Sequence, residues 1–272
     1  MPDAVGDLIL LFGHGTDGGP VHRWLYEQAK ILHRDLSPNN IMSRTIKRKN
    51  KEGVVEEKLC GVLTDFDLSS RTKDLVKDYM RTSQQRTGTP PYMAHGLLDG
   101  SDDRHLYRHD LESLFYIMLI IATHYEIELP TEEKDGGMRT RDGKLPYQRW
   151  FDEPSYEALA SFKLSLFTKS TNLDLSPSFK DFDGWLIDLC DSFLQGFLYQ
   201  RGYNSKLVRS RKMGQGSEDQ DAPTFDDETL GGHVGYSTLI NPVRELKGEL
   251  EGLVIRYKSR PSTSARRKKA RR

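Results

Sequence analysis

Apolar positions recur along the chain with two different periods. Val21, Trp24, Leu25 and Ala29 lie three to four apart and predict a helix over 20–32. A nearly unbroken apolar stretch from Tyr107 to His124 predicts a buried helix, and Tyr156 to Phe167 has partly helical spacing. Phe182, Trp185, Leu186, Leu189, Phe193 and Phe197 form an amphipathic stripe that reads as core. Val243, Leu246, Leu250, Leu253 and Val254 mark a final helix, weakened by Gly248 and Gly252. Strand character is clearest in the short runs Leu8 to Phe12 and Leu59 to Leu63. Polar stretches at about 46–57, 130–146 and 201–228 read as loop-like insertions. The expected class is mainly α with a small β component.

Composition changes this picture little. A chain of 272 residues with 36% hydrophobic content can bury a sizeable single core. The two cysteines, Cys60 and Cys190, are read as core thiols in a reduced intracellular setting, cytoplasmic or nuclear. No apolar run reaches bilayer length and no secretory signal opens the chain. The net charge of zero hides an asymmetry. Seven cations in the tail from Ser259 (Arg260, Arg266, Arg267, Lys268, Lys269, Arg271 and Arg272) leave the remainder at −7. Arg266 to Arg272 resembles a patch for an import receptor or nucleic acid, and a merely solvated tail is an equal reading. The expected organisation is a flexible segment at 1–19, a folded unit at 20–258 and a basic disordered tail at 259–272.

The densest chemistry lies in His33-Arg34-Asp35-Leu36-Ser37-Pro38-Asn39-Asn40. Asp35 and Asn40 have the spacing by which phosphoryl-transfer enzymes set a carboxylate near the substrate hydroxyl and an amide on Mg²⁺. Downstream, Leu59 to Leu63 leads into Thr64-Asp65-Phe66-Asp67 and places Asp65 at a strand end. Mg²⁺ takes one or two carboxylates together with phosphate oxygens, so Asn40 and Asp65 at neighbouring strand ends can share one ion. Asp65 follows Asn40 by 25 positions, and this spacing, with Lys47 to Lys51 midway, suits a hairpin with a solvated tip. A third element runs from Arg86 through Thr87, Gly88 and Thr89 to Pro90-Pro91-Tyr92-Met93-Ala94. Asp110, in the first turn of the predicted buried helix, is favoured there by the helix dipole. His105 and His109 are read as loop histidines, because neither has an evident carboxylate partner.

Taken together, these motifs resemble the fungal-type protein kinase domain family over residues 20 to about 257. The phrase His33 to Ile41 with Ser37, the variant Asp65-Phe66-Asp67 and His109-Asp110-Leu111-Glu112-Ser113 carry the resemblance. It implies a protein-kinase-like C-terminal lobe using Mg²⁺ and ATP. In it Asp35 is the catalytic base, His33 and Arg34 belong to the catalytic loop, and Asn40 and Asp65 bind metal and nucleotide. Asp110 braces the catalytic loop, and Gly88 and Thr89 shape the substrate-docking loop. Arg34 would anchor a phosphorylated activation segment.

Two departures from the kinase pattern stand out: Asp67 replaces a glycine, and Ala94-His95-Gly96 lacks the glutamate that normally makes a buried ion pair with an arginine. An ATP-binding N-lobe needs roughly 60 residues, and only 32 precede His33. Gly13-His14-Gly15-Thr16-Asp17-Gly18 is a literal Gly-x-Gly-x-x-Gly, but no strand carrying a phosphate-pairing lysine fits between it and His33. It reads as a connector. Three functions stay open: Ser/Thr protein phosphorylation by a chain completed with an N-lobe; a non-catalytic pseudokinase or truncated kinase fragment offering an interaction surface; and phosphorylation of small alcohols, as in aminoglycoside- and choline-type kinases.

Overall fold

The apolar run from Tyr107 folds as a single 18-residue helix whose every residue is buried. A helix enclosed on all sides needs a partner for each polar side chain it carries, and the rest of the fold is organised around that need. The computed structural model describes residues 21–49, 53, 55–72, 88–102, 104–128, 137–169, 171–212 and 224–239. The Gly13 to Gly18 loop, Arg86, Thr87, the final predicted helix and the basic tail lie outside them.

The described elements begin with α1 (Val21–Trp24), which passes into a π-helical turn over Leu25–Ala29. Lys30 closes that turn with φ 59° and donates its N–H to the Leu25 carbonyl. The helix expected over 20–32 therefore stops early, and Ile31–Leu32 form a short strand, β1. A 3-10 turn over Pro38–Asn40 leads into β2 (Ile41–Lys49), which pairs antiparallel with β3 (Val55–Leu63) from Ile41 opposite Leu63 to Lys49 opposite Val55. The chain then turns back so that β4 (Ser70–Arg71) pairs with β1.

After a 3-10 turn over Pro90–Tyr92 come α2 (His95–Asp99) and the central helix α3 (Tyr107–His124). A second hairpin joins β5 (Tyr125–Glu128) to β6 (Gly137–Thr140), so strand pairing occupies part of the stretch read as a polar loop. Then follow α4 (Arg149–Asp152), α5 (Tyr156–Lys169), a 3-10 turn over Pro177–Phe182 and α6 (Asp183–Lys212). The described part is mainly α, with three two-stranded sheets.

The predicted stripe supplies much of the core. Trp185, Leu186, Leu189 and Phe193 are buried, and Phe193 lies 5.4 Å from Phe167 of α5 and 5.7 Å from Phe115 of α3, centroid to centroid. Such offset aromatic pairs add about 0.5–1.5 kcal/mol each beyond their area burial. Two further expectations are corrected here. The stretch 46–57, read as a loop-like insertion, is strand at both ends, through Lys49 of β2 and from Val55 of β3. Arg201 to Lys212, read as loop, continues α6 as helix. A helix nucleated on a packed half propagates cheaply through good formers such as Arg, Lys and Leu, and no proline interrupts them.

Candidate functional site

The β2–β3 register is what brings the candidate metal ligands together. Asn40 immediately precedes Ile41, Asp65 stands two residues beyond Leu63, and Thr64 extends the ladder by donating its N–H to the Asn40 carbonyl at 2.9 Å. Asn40 and Asp65 thus leave the same end of one hairpin. The Asn40 side-chain NH₂ donates to the Asp35 carbonyl at 2.8 Å and approaches Asp35 Oδ2 at 3.4 Å. That amide is fixed by its nitrogen, and its oxygen is the atom a hard cation takes. Asp65 is exposed and has φ 59°, a left-handed conformation in which a non-glycine residue stores strain.

Asp35 is only partly buried. Its Oδ1 accepts the Thr89 backbone N–H at 2.9 Å and the Thr89 hydroxyl at 2.8 Å. The segment that begins at Gly88, expected from the resemblance to dock substrate, is therefore tied directly to the carboxylate. Gly88 makes this approach possible: its φ is 128°, and a Cβ there would stand 2.9 Å from Met93 Cγ and 3.5 Å from the Arg34 carbonyl.

Below the loop lies the carboxylate of Asp110, fully buried on α3. It accepts the backbone N–H groups of His33 (3.0 Å) and Arg34 (3.1 Å), and bonds Nε2 of His22 (2.9 Å) and of His105 (2.8 Å). Burial alone would raise its pKa, but the charge and hydrogen bond of His105, with the bond from His22, hold it well below the carboxylate range. Because the carboxylate can only accept, His22 donates from Nε2, and its Nδ1 takes the Tyr236 hydroxyl at 2.5 Å. Arg34, with φ 72°, donates from a guanidinium nitrogen to Ser70 Oγ at 2.6 Å on β4. His33 bonds through Nε2 to the Thr64 carbonyl at 2.9 Å, and the Phe66 ring packs edge-on against it at 4.9 Å. His33, Arg34 and Asp35 are thus secured to the β3 end, to β4, to α3 and to the docking segment.

His105 lies in the loop before α3, as expected, but the reading of His109 as a loop histidine, and of both as lacking acidic partners, is corrected. His109 lies in α3, is fully buried and meets Asp102 Oδ2 at 2.9 Å, while His105 meets Asp110. His109 Nδ1 accepts the Leu106 N–H, so Nε2 carries the proton and the ring is satisfied while neutral. Burial and then Arg108 bring its pKa down to about 3. Among the described residues, no group of three or more His, Cys, Asp or Glu side chains gathers as a metal site.

Residues 16–122 match the family model described as fungal protein kinase. A stretch of 132 residues, 47% of this chain, is 29% identical to the Serine/threonine-protein kinase CHK1 of Saccharomyces cerevisiae. It covers 22% of that relative, so the chain spans about a fifth of that protein's length. No solved structure matches. These matches support the fungal-type protein kinase domain family, the one the motifs resemble. The segment that matches the family model contains every side chain of this site except Tyr236.

Proposed function

We propose that the chain is the catalytic part of a Ser/Thr protein phosphotransferase that uses Mg²⁺ and ATP when completed by an ATP-binding lobe. Asp35 supports this most directly: it sits at the docking segment, bonded by the Thr89 amide and hydroxyl and by the Asn40 side chain. In this reading the Asp35 carboxylate orients the substrate hydroxyl and accepts its proton as the phosphoryl group arrives. The Asn40 oxygen and the Asp65 carboxylate would hold Mg²⁺, which would supply positive charge to neutralise the phosphates. Arg34, in contact with Ser70, is the anchor for a phosphorylated activation segment.

Replacing Asp35 by Asn keeps the size of the side chain while removing the base. Turnover on a protein substrate should fall by about 10²–10⁴, with the melting temperature nearly unchanged. Undiminished turnover would remove Asp35 from the mechanism.

A second reading, a non-catalytic kinase-derived interaction surface, is favoured by exposed apolar side chains on the elements around the loop. Trp24 on α1, Met42 on β2, Val55 on β3, and Phe66 and Leu68 beyond β3 all face solvent. Binding of a protein partner with no phosphoryl transfer under any substrate would select this reading. Phosphorylation of small alcohols but not of proteins would select the third. The basic tail, Arg266 to Arg272, would in any of these serve an import receptor or nucleic acid. Among the described residues no helix is long and apolar enough to cross a membrane.

A further inference from the structure

Gly96 stands where the kinase pattern has an acid whose buried ion pair fixes the docking segment, yet residues 90–95 are nonetheless pinned from beneath. Two ionisable side chains that the proposed chemistry does not use reach that segment. Glu112, on α3 and fully buried, accepts the His95 N–H on Oε1 at 2.7 Å and the Tyr116 hydroxyl on the same oxygen at 2.5 Å. Lys163, on α5 and fully buried, donates from Nζ to the Met93 carbonyl and, at 3.5 Å, to the Pro90 carbonyl. Tyr116 joins the two, because its ring faces the Lys163 Nζ at 3.9 Å.

A lysine is among the residues least often buried, since taking an ammonium out of water costs several kcal/mol. Here burial depresses the Lys163 pKa well below the lysine range, opposed by Glu112, and burial raises that of Glu112. An aliphatic side chain would fill the same space without that penalty. What the nitrogen provides is a donor for two carbonyls in a turn that begins at Thr89.

We propose that Glu112 and Lys163 are positioning residues that jointly clamp the docking segment Pro90–His95 from below, and so hold Thr89 against Asp35. The pair stands in for the acid–arginine pair that Gly96 cannot make. Glu112 holds the amide that follows Ala94, Lys163 holds the carbonyls before it, and the Tyr92 and Met93 N–H groups close the turn onto the Thr89 carbonyl at 2.9 and 3.1 Å. The geometric clamp stands independently of any activity; its consequence for substrate rests on the protein kinase reading above.

The test is amide hydrogen exchange on the full chain and on Lys163→Met, with Lys169→Met, at the exposed end of the same helix, as control. In Lys163→Met, amides between 88 and 97 should exchange about tenfold faster, the mark of a local opening. Those of α3 should keep their protection, and the control should match the parent. With a protein substrate, KM should rise while KM for Mg²⁺-ATP is unchanged, a split that simple loss of folded protein does not produce. Should Lys163→Met fail to fold, the equal-volume Glu112→Gln should show the same local acceleration to a smaller degree. Unchanged exchange over 88–97, or equal acceleration throughout α3, overturns the proposal. Local acceleration in a chain that transfers no phosphate keeps the clamp and removes only the kinase reading.

Discussion

A Cβ built on Gly96 would stand 1.7 Å from Asp102 Oδ2, so the absence of a side chain at Gly96 is what admits the Asp102 carboxylate. That carboxylate bonds Arg108 through both oxygens, at 2.8 and 2.9 Å, and His109 at 2.9 Å. Burial opposes its charge, but His109 and then Arg108 hold its pKa well below the carboxylate range. The bare Cα of Gly96 and the buried Asp102–Arg108 pair thus occupy one site, each requiring the other.

Gly96→Ala should therefore act through electrostatics more than through helix propensity. Displacing Asp102 leaves Arg108, one of the largest fully buried side chains, without its anion. Breaking one side of such a pair costs about 3–5 kcal/mol. Urea denaturation should show that loss in the midpoint at unchanged slope, whereas a stability change below about 1 kcal/mol would mean that Asp102 relocates freely.

Asp110→Asn tests the brace under the His33–Asn40 loop. The amide that replaces one carboxylate oxygen would be a donor facing the donors from His22, His33, Arg34 and His105. The expected destabilisation is about 3–5 kcal/mol, accompanied by faster amide exchange at His33 and Arg34. Retention of slow exchange at both amides would show that the loop holds its shape without the carboxylate.

Much of this site is legible in the amino-acid sequence alone. The His33 to Asn40 spacing, the hairpin that returns to Asp65 and the buried helix opening with Asp110 rest on local patterns: a fixed spacing, two strands bounding a charged tip, and an unbroken apolar run. What escapes such patterns depends on distance in the fold. Asp102 lies three residues before His105, but only the turn through α2 brings it against Gly96 and Arg108. Lys163, in a helix of partly polar spacing, looks like a surface lysine until α5 packs beneath the docking segment. Glu112 lies in a helix already expected to be buried, but its partner His95 is 17 residues away and no local pattern points to it.

Acid sensitivity should follow from His109. Its folded pKa of about 3 lies below the ordinary 6.5, so between those values the unfolded chain binds a proton that the folded chain does not. Stability should fall as pH drops from 6.5 toward 3, by about 1.4 kcal/mol per pH unit for this one group. Asp102 and Asp110, both held low, relinquish their contributions further into acid, below the ordinary 3.8. Urea midpoints measured across pH 4–7 should slope accordingly, and His109→Gln should flatten that slope by about one proton. An identical slope in the variant would assign the acid sensitivity elsewhere.

The central claim is that the shared end of the β2–β3 hairpin, with Asn40 and Asp65, is a Mg²⁺-nucleotide site beside the Asp35 base. Calorimetric titration with ATP of the chain completed by an ATP-binding lobe, with and without Mg²⁺ and alongside Asp65→Ala, tests it most directly. The account predicts saturable binding that requires Mg²⁺ and is lost in Asp65→Ala. Binding of equal strength in Asp65→Ala, or no binding to the parent chain, would contradict it.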